Sequence, residues 1–149
     1  MMKVSLPIRF GIAASGSLIA YFLLLSLIGW HTNVFYSLFN GVITGFAIYE
    51  AIKYFKVEQQ EKFNYGMGFK AGVITGFVAT IIFTVFFAIY STEIAPDFLE
   101  ELSSQWFSSF ESFEAIVFFT VAIMGFATTL VLTLSFMQLF KSSGNTPRK

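Results

Sequence analysis

The chain has 149 residues, of which 56% are apolar, 19% aromatic and only 12% charged, with a mean hydropathy of +0.72. A charged share about half that of an ordinary soluble domain indicates one integral membrane domain rather than a soluble one. Nine basic and nine acidic residues balance to zero net charge, and a sequence without cysteine excludes disulfides, thiol chemistry and cysteine metal sites.

Four apolar segments predict an all-α bundle of four transmembrane helices. Each is long enough to cross a bilayer, and we place the helices over about residues 8–29, 34–55, 69–90 and 115–140. The first segment is too long for a signal peptide and lacks a cleavage site, so we expect a retained helix. Residues 1–140 then form a single transmembrane domain. The tail over 141–149 is rich in small and polar residues and is predicted to be disordered.

Small residues recur along the third helix, which we expect to lie at the centre of the bundle. They stand at every fourth position, as Gly68, Gly72, Gly76, Thr80, Thr84 and Ala88. Small residues let helix backbones approach closely in lipid. Because four-residue steps drift by about 40° on an ideal helix, we expect one partner helix to use the first half of this row and another the second.

The second and fourth helices carry shorter rows of the same kind. The hexapeptide Gly-Val-Ile-Thr-Gly-Phe occurs at 41–46 and again at 72–77, through either duplication or a shared packing requirement. The fourth helix carries Gly125, Thr129 and Thr133 along one side. We therefore predict helix-packing roles for a set of six residues, namely Gly41, Gly45, Gly72, Gly76, Thr80 and Gly125.

The connection between the third and fourth helices predicts an amphipathic helix over about residues 96–113. Its apolar residues recur at spacings of three and four, as Phe98, Leu102, Trp106, Phe110 and Phe113. Pro96 and the acidic residues that follow it are typical of a helix start. We expect this helix to lie on the outer membrane surface or to cap the bundle.

The charges predict how the protein sits in the membrane. With four spans, all nine Lys and Arg residues fall on the side of the two termini, whereas six of the nine acids fall in the third loop. Because basic residues near membrane spans stay in the cytoplasm, both termini are predicted to be cytoplasmic. The basic residues at this edge are expected to meet anionic lipid headgroups rather than nucleic acid.

Two polar residues inside the second helix are the candidate polar site. Glu50 is either a functional intramembrane acid or an interfacial group paired with Lys53, three residues later. Asn40 is either an interhelical hydrogen-bond partner or a ligand group. His31, the one histidine of the sequence, has no carboxylate or nucleophile near it in sequence. No zinc, phosphate-loop, dinucleotide or nucleophile motif occurs, so we expect no catalytic residue, cofactor or metal.

Two short stretches carry a family resemblance. Tyr65-Gly-Met-Gly-Phe-Lys-Ala-Gly72, followed after a membrane helix by Ala95-Pro-Asp-Phe-Leu-Glu100, resembles the domain of unknown function 4199 family. These are small bacterial four-helix membrane proteins with no established activity. The resemblance implies this topology and a location in the bacterial cytoplasmic (inner) membrane, and it transfers no catalytic residue.

The sequence favours a non-enzymatic scaffold or interaction protein whose partners are membrane lipids and either further copies of itself or another membrane protein. The alternative is a small transporter or channel subunit with a polar site around Asn40 and Glu50. A dry, tightly packed centre favours the first hypothesis, and a water-filled path beside these two residues favours the second.

Overall fold

The computed structural model describes residues 5–106 and 113–141. Within these ranges 91% of the residues are helical and no β-strand forms. The helices are α1 (Ser5–Leu27), α2 (Val34–Gln59), α3 (Tyr65–Ile89), α4 (Asp97–Trp106) and α5 (Phe113–Phe140). A 3-10 turn, Gln60–Lys62, follows α2, and a π-helical turn, Tyr90–Ile94, continues α3.

Four helical segments are long and apolar enough to cross a membrane. They are Ser5–Leu27, Phe35–Lys62, Tyr65–Ile94 and Glu114–Phe140. This confirms the predicted all-helical chain with four candidate spans. Of the tail over 141–149 that is predicted to be disordered, residues 142–149 lie outside the described part of the chain.

Asparagine side chains set the beginnings of α2 and α3. Asn33 Oδ1 accepts a hydrogen bond of 2.9 Å from the backbone N–H of Phe35. Asn64 Oδ1 accepts one of 2.9 Å from the N–H of Met67, which starts α3 at Tyr65, four residues before the predicted residue 69. Such caps satisfy backbone donors that have no partner within the helix. Gly68 therefore lies inside α3, where it is buried.

The long helices pack with α2 and α3 in the middle. α3 packs against α1, α2 and α5, and α2 also packs against α1 and α5, whereas α1 and α5 share no comparable contact. The approach of α1 to α3 is close, since a Cβ atom added at Gly11 would lie 2.7 Å from Val78 Cβ. The hydroxyl of Thr75 bonds within its helix to the carbonyl of Ala71 and lies 3.2 Å from the carbonyl oxygen of Pro7 on α1.

The buried side of α3 carries mostly small residues and its exposed side large apolar ones. The buried residues of α3 are Gly68, Ala71, Gly72, Thr75, Gly76, Ala79, Thr80 and Phe87. On the opposite side of the same helix, Ile81, Val85 and Ile89 are exposed. A water-soluble helix shows the reverse distribution. The exterior therefore suits lipid, and the interior suits close backbone approach.

The third connection contains a helix over Asp97–Trp106, within the predicted range 96–113. Phe98 and Leu99 are buried against the bundle, whereas Glu100 and Glu101 are exposed. The remainder of the predicted apolar stripe, from the side chain of Leu102 to Phe113, lies outside the described side chains. The amphipathic character of the whole segment therefore stays a prediction.

Candidate functional site

Four residue pairs, each containing one glycine, recur along the contact between α3 and α5. Each step of four residues up α3 is matched by a step of four residues back along α5, as antiparallel helices require. The pairs are Gly68 with Met137, Gly72 with Thr133, Gly76 with Thr129, and Thr80 with Gly125. The small residues from Gly68 to Thr80 therefore all pack against one helix, α5. The prediction that a second partner helix takes over at Thr80 is wrong. On both helices the contacting residues are four positions apart, which is the spacing of the side-chain ridges that interdigitate when two helices pack.

This contact is close enough that the glycines leave no room for a side chain. A Cβ atom at Gly72 would lie 2.6 Å from Thr133 Cγ2, and one at Gly125 would lie 2.5 Å from Thr80 Cγ2. At Gly76 it would overlap with Cγ2 and Oγ1 of Thr129. Real Cβ atoms do not approach this closely, so an added methyl must push the helices apart and forfeit dispersion contacts.

The two glycines predicted to pack on α2 lie in different surroundings. Gly45 is buried, and a Cβ there would meet Leu132 and Phe136 of α5 at an ordinary 3.6 Å. Gly41 faces open space, with no described atom within 4 Å of such a Cβ. No residue of another helix in the described chain therefore approaches Gly41 closely enough for the predicted packing role.

Asn40 and Glu50 do not form one polar site. They lie ten residues apart on α2, which separates them by about 15 Å along the helix axis. Glu50 Oε1 is 3.5 Å from Nζ of Lys53, and the exposed fractions of the two side chains are 18% and 52%. Glu50 therefore pairs with Lys53, as the spacing of the two residues predicted; the depth of this pair in the membrane stays a prediction.

Some polar atoms of the spans are buried without a partner among the described residues, namely Asn40 Oδ1, Thr84 Oγ1 and Thr133 Oγ1. A Cβ atom added to Gly72 of α3 would lie 3.1 Å from Cδ1 of Ile52 on α2. These two residues therefore face each other and give the register of the antiparallel helices α2 and α3. Counting twelve residues from this contact toward the other end of each helix, we expect Asn40 and Thr84 to lie at about the same level. Buried polar atoms without a partner are costly and commonly have a specific role.

A cluster of aromatic rings closes the end of the bundle opposite the termini, with Phe22 at its centre. Six rings surround Phe22 in edge-to-face orientation, with centroid distances from 4.9 to 6.2 Å; they are His31, Phe83, Phe86, Phe87, Tyr90 and Phe98. The rings come from α1, α3, α4, the loop after α1 and the π-helical turn. Edge-to-face contact is favourable for aromatic rings, so Phe22 joins these five segments.

His31 takes part in this cluster rather than in a polar network. Its ring stacks on Phe98 with a centroid distance of 4.9 Å and an interplanar angle of 21°, and its Nδ1 is buried without a partner in the described ranges. Burial lowers the pKa of the His31 imidazole, an effect that the carboxylate of Glu101 partly opposes. The imidazole is therefore held in its neutral form, which the surrounding rings of Phe22, Tyr90 and Phe98 favour.

His31 is expected to make the protein less stable in acid. Because its pKa is lower in the folded state, the unfolded state binds the proton first, and stability falls as the pH drops below about 6.5, the ordinary value. The His31→Phe variant keeps a ring against Phe98 and removes this proton. Between pH 7 and pH 5 the melting temperature of the wild type should fall further than that of His31→Phe. An equal fall in the two proteins would contradict the lowered pKa of His31.

The sequence did not point to the centre of the aromatic cluster. Phe22 lies in an apolar stretch of α1 whose neighbours Leu23 and Leu24 are exposed, and nothing in local spacing separates it from them. The signal available was compositional, since Phe83, Phe86, Phe87 and Tyr90 crowd one end of α3.

The fold and its lipid-suited exterior place the chain among multi-pass helical membrane proteins. It matches the family model described as Protein of unknown function (DUF4199) over residues 9–142, and it belongs to this family, which confirms the resemblance found in the sequence. No curated protein and no solved structure matches the chain. Within the described part of the chain, no group of three or more His, Asp or Glu residues is placed to hold a metal ion.

Proposed function

We propose that this protein is a non-enzymatic scaffold or interaction protein of the bacterial cytoplasmic membrane. The observation that supports it is the packed centre of the bundle. Thr75, Thr129 and Thr133 have no exposed surface, and the opposed glycines bring α3 and α5 into direct contact. Close packing of this kind, seen in the part of the chain that the structure describes, is what a scaffold is expected to have at its centre. The distance from Asn40 to Glu50 supports the same view, since neither residue continues a path begun by the other.

The proposed orientation has both termini in the cytoplasm. It is supported by the basic residues, which in the described chain include Arg9, Lys53, Lys56, Lys70 and Lys141 near the same end of the four spans. A reporter that works only in the cytoplasm should be active when fused after Lys149 and silent when fused at Ser104. The reverse pattern would invert the orientation without changing the fold.

A small transporter or channel subunit is the second candidate, and one observation favours it. Asn40 Oδ1 and Thr84 Oγ1 are both buried without a partner in the described spans, at one level of the α2–α3 contact. Polar groups at membrane depth commonly line a substrate or ion path. On this hypothesis the two atoms would bind a solute or water near the open side of Gly41.

Flux through reconstituted liposomes distinguishes the two functions. Purified protein is incorporated into vesicles loaded with dyes that report on protons and potassium. The scaffold proposal expects leakage equal to that of protein-free vesicles, together with a self-assembled or mixed complex when the protein is isolated in native lipid. Flux that Asn40→Ala abolishes would overturn it in favour of transport. The matched control is Ser135→Ala, which removes an exposed polar group from α5.

A further inference from the structure

A cavity of about 480 Å³ opens at the end of the bundle that carries the termini, where α2 turns into α3 and α5 ends. It is lined by Phe63, Asn64, Tyr65, Met137, Gln138, Phe140 and Lys141. This volume falls in the range of about 300–1,000 Å³ that is usual for small-molecule sites. Of these residues only Met137 also takes part in the α3–α5 contact, and none belongs to the aromatic cluster around Phe22.

The floor of the cavity is apolar and is shaped by Gly68. Because Gly68 has no side chain, the Phe63 ring and the Met137 thioether both reach the surface of α3, each within 2.8 Å of where a Cβ would stand. Met137 is fully buried there, and Phe63 and Phe140 are half-buried. These side chains form an apolar wall at the ends of three spans. An acyl chain could lie against this wall with its glycerol end.

The rim of the cavity is polar and positively charged. Three of its lining residues, Tyr65, Gln138 and Lys141, have polar or basic side chains and are exposed. Lys56 reaches the same place from α2, where its Nζ lies 5.8 Å from the ring centroid of Phe63 and 5.6 Å from that of Phe140. Lys56 is not itself one of the residues that line the cavity, and neither are the acids Glu58 and Glu61.

The level of this site in the membrane identifies the kind of ligand. The residues of the cavity stand where the spans Phe35–Lys62, Tyr65–Ile94 and Glu114–Phe140 begin or end, hence where hydrocarbon gives way to headgroups. Basic pockets between membrane helices bind anionic headgroups. We propose that this cavity binds an anionic phospholipid, with the phosphate between Lys56 and Lys141 and the glycerol end of an acyl chain against Phe63 and Phe140. The proposal does not depend on whether the protein is a scaffold or a transporter.

The experiment measures lipid binding to the delipidated protein in a mild detergent. Phosphatidylglycerol and phosphatidylcholine are titrated separately, and bound lipid is counted by native mass spectrometry. The wild type should prefer phosphatidylglycerol, and the Lys56→Gln/Lys141→Gln variant should bind it about 25-fold more weakly, since each basic residue near an anionic headgroup contributes about fivefold. The control Lys53→Gln/Lys70→Gln removes the same charge from the same end of the bundle and should change the affinity less than twofold.

Three further measurements separate a lipid site from a free-phosphate site and from a purely structural role of the two lysines. Lys56→Arg/Lys141→Arg should retain the preference, and its loss would overturn the proposal. Millimolar inorganic phosphate without lipid should not raise the melting temperature, and a rise equal to that given by phosphatidylglycerol would assign the site to a free phosphate. The Lys56→Gln/Lys141→Gln variant could instead lower the melting temperature equally in both lipids without changing lipid binding. The two lysines would then only stabilise the C-terminal ends of α2 and α5, and the lipid site would be refuted.

Discussion

Replacing Phe22 with alanine is expected to lower the free energy of unfolding by roughly 3 kcal/mol or more, the cost usual for truncating a buried phenylalanine. Phe22 is only 6% exposed, and its ring faces six others. Lipid cannot enter the space that alanine leaves, so the surrounding rings lose their contacts outright. Because these rings belong to α3, α4, the π-helical turn and the loop between α1 and α2, the loss should loosen the whole end of the bundle.

Tryptophan fluorescence during unfolding in mixed micelles measures this loss. The matched control is Phe119→Ala on α5, where the side chain is 69% exposed and faces the surface that lipid covers. This variant should unfold within about 0.5 kcal/mol of the wild type, as is usual for surface substitutions. Equal effects at the two positions would mean that Phe22 has no central place in the cluster.

Gly76→Ala is expected to destabilise the protein by about 1–3 kcal/mol, as overpacking of a close contact does. The new methyl group would overlap with the side chain of Thr129, and both residues are buried at the middle of the α3–α5 contact. Gly41→Ala is the matched control, because a Cβ there meets no described atom. Alanine favours the helix over glycine, so this control should be unchanged or more stable by up to about 1 kcal/mol.

A double-mutant cycle tests whether Thr129 causes the effect. Thr129→Ala removes Cγ2 and Oγ1, the two atoms that a methyl at Gly76 would overlap. In that background Gly76→Ala should cost less by about 1 kcal/mol, a coupling usual for residues in contact. Additive effects of the two substitutions would show that α3 does not meet α5 at this pair. The packing role of the glycines would then fail, while the four spans would remain.

The sequence by itself determined the number, the type and the approximate limits of the spans. This is possible because the bilayer imposes a length and an apolar composition on each segment, and both are local properties of the chain. The rows of small residues on α3 and α5 were also visible, since a four-residue spacing is a property of one helix. The start of α3 was placed four residues late, because the side chain of Asn64 caps the helix and sets its first residue at Tyr65.

Only the tertiary structure decided which helices meet and at which residues. Gly41 and Gly72 open the same hexapeptide, yet a Cβ at Gly72 would strike Thr133 while one at Gly41 would meet open space. The position of Phe22 among six rings, and of Lys56 between two, also depends on residues far away in sequence. The physical reason is that a pattern along one helix shows which side is small or apolar. The partner for that side is set by the pairing and register of all the helices together.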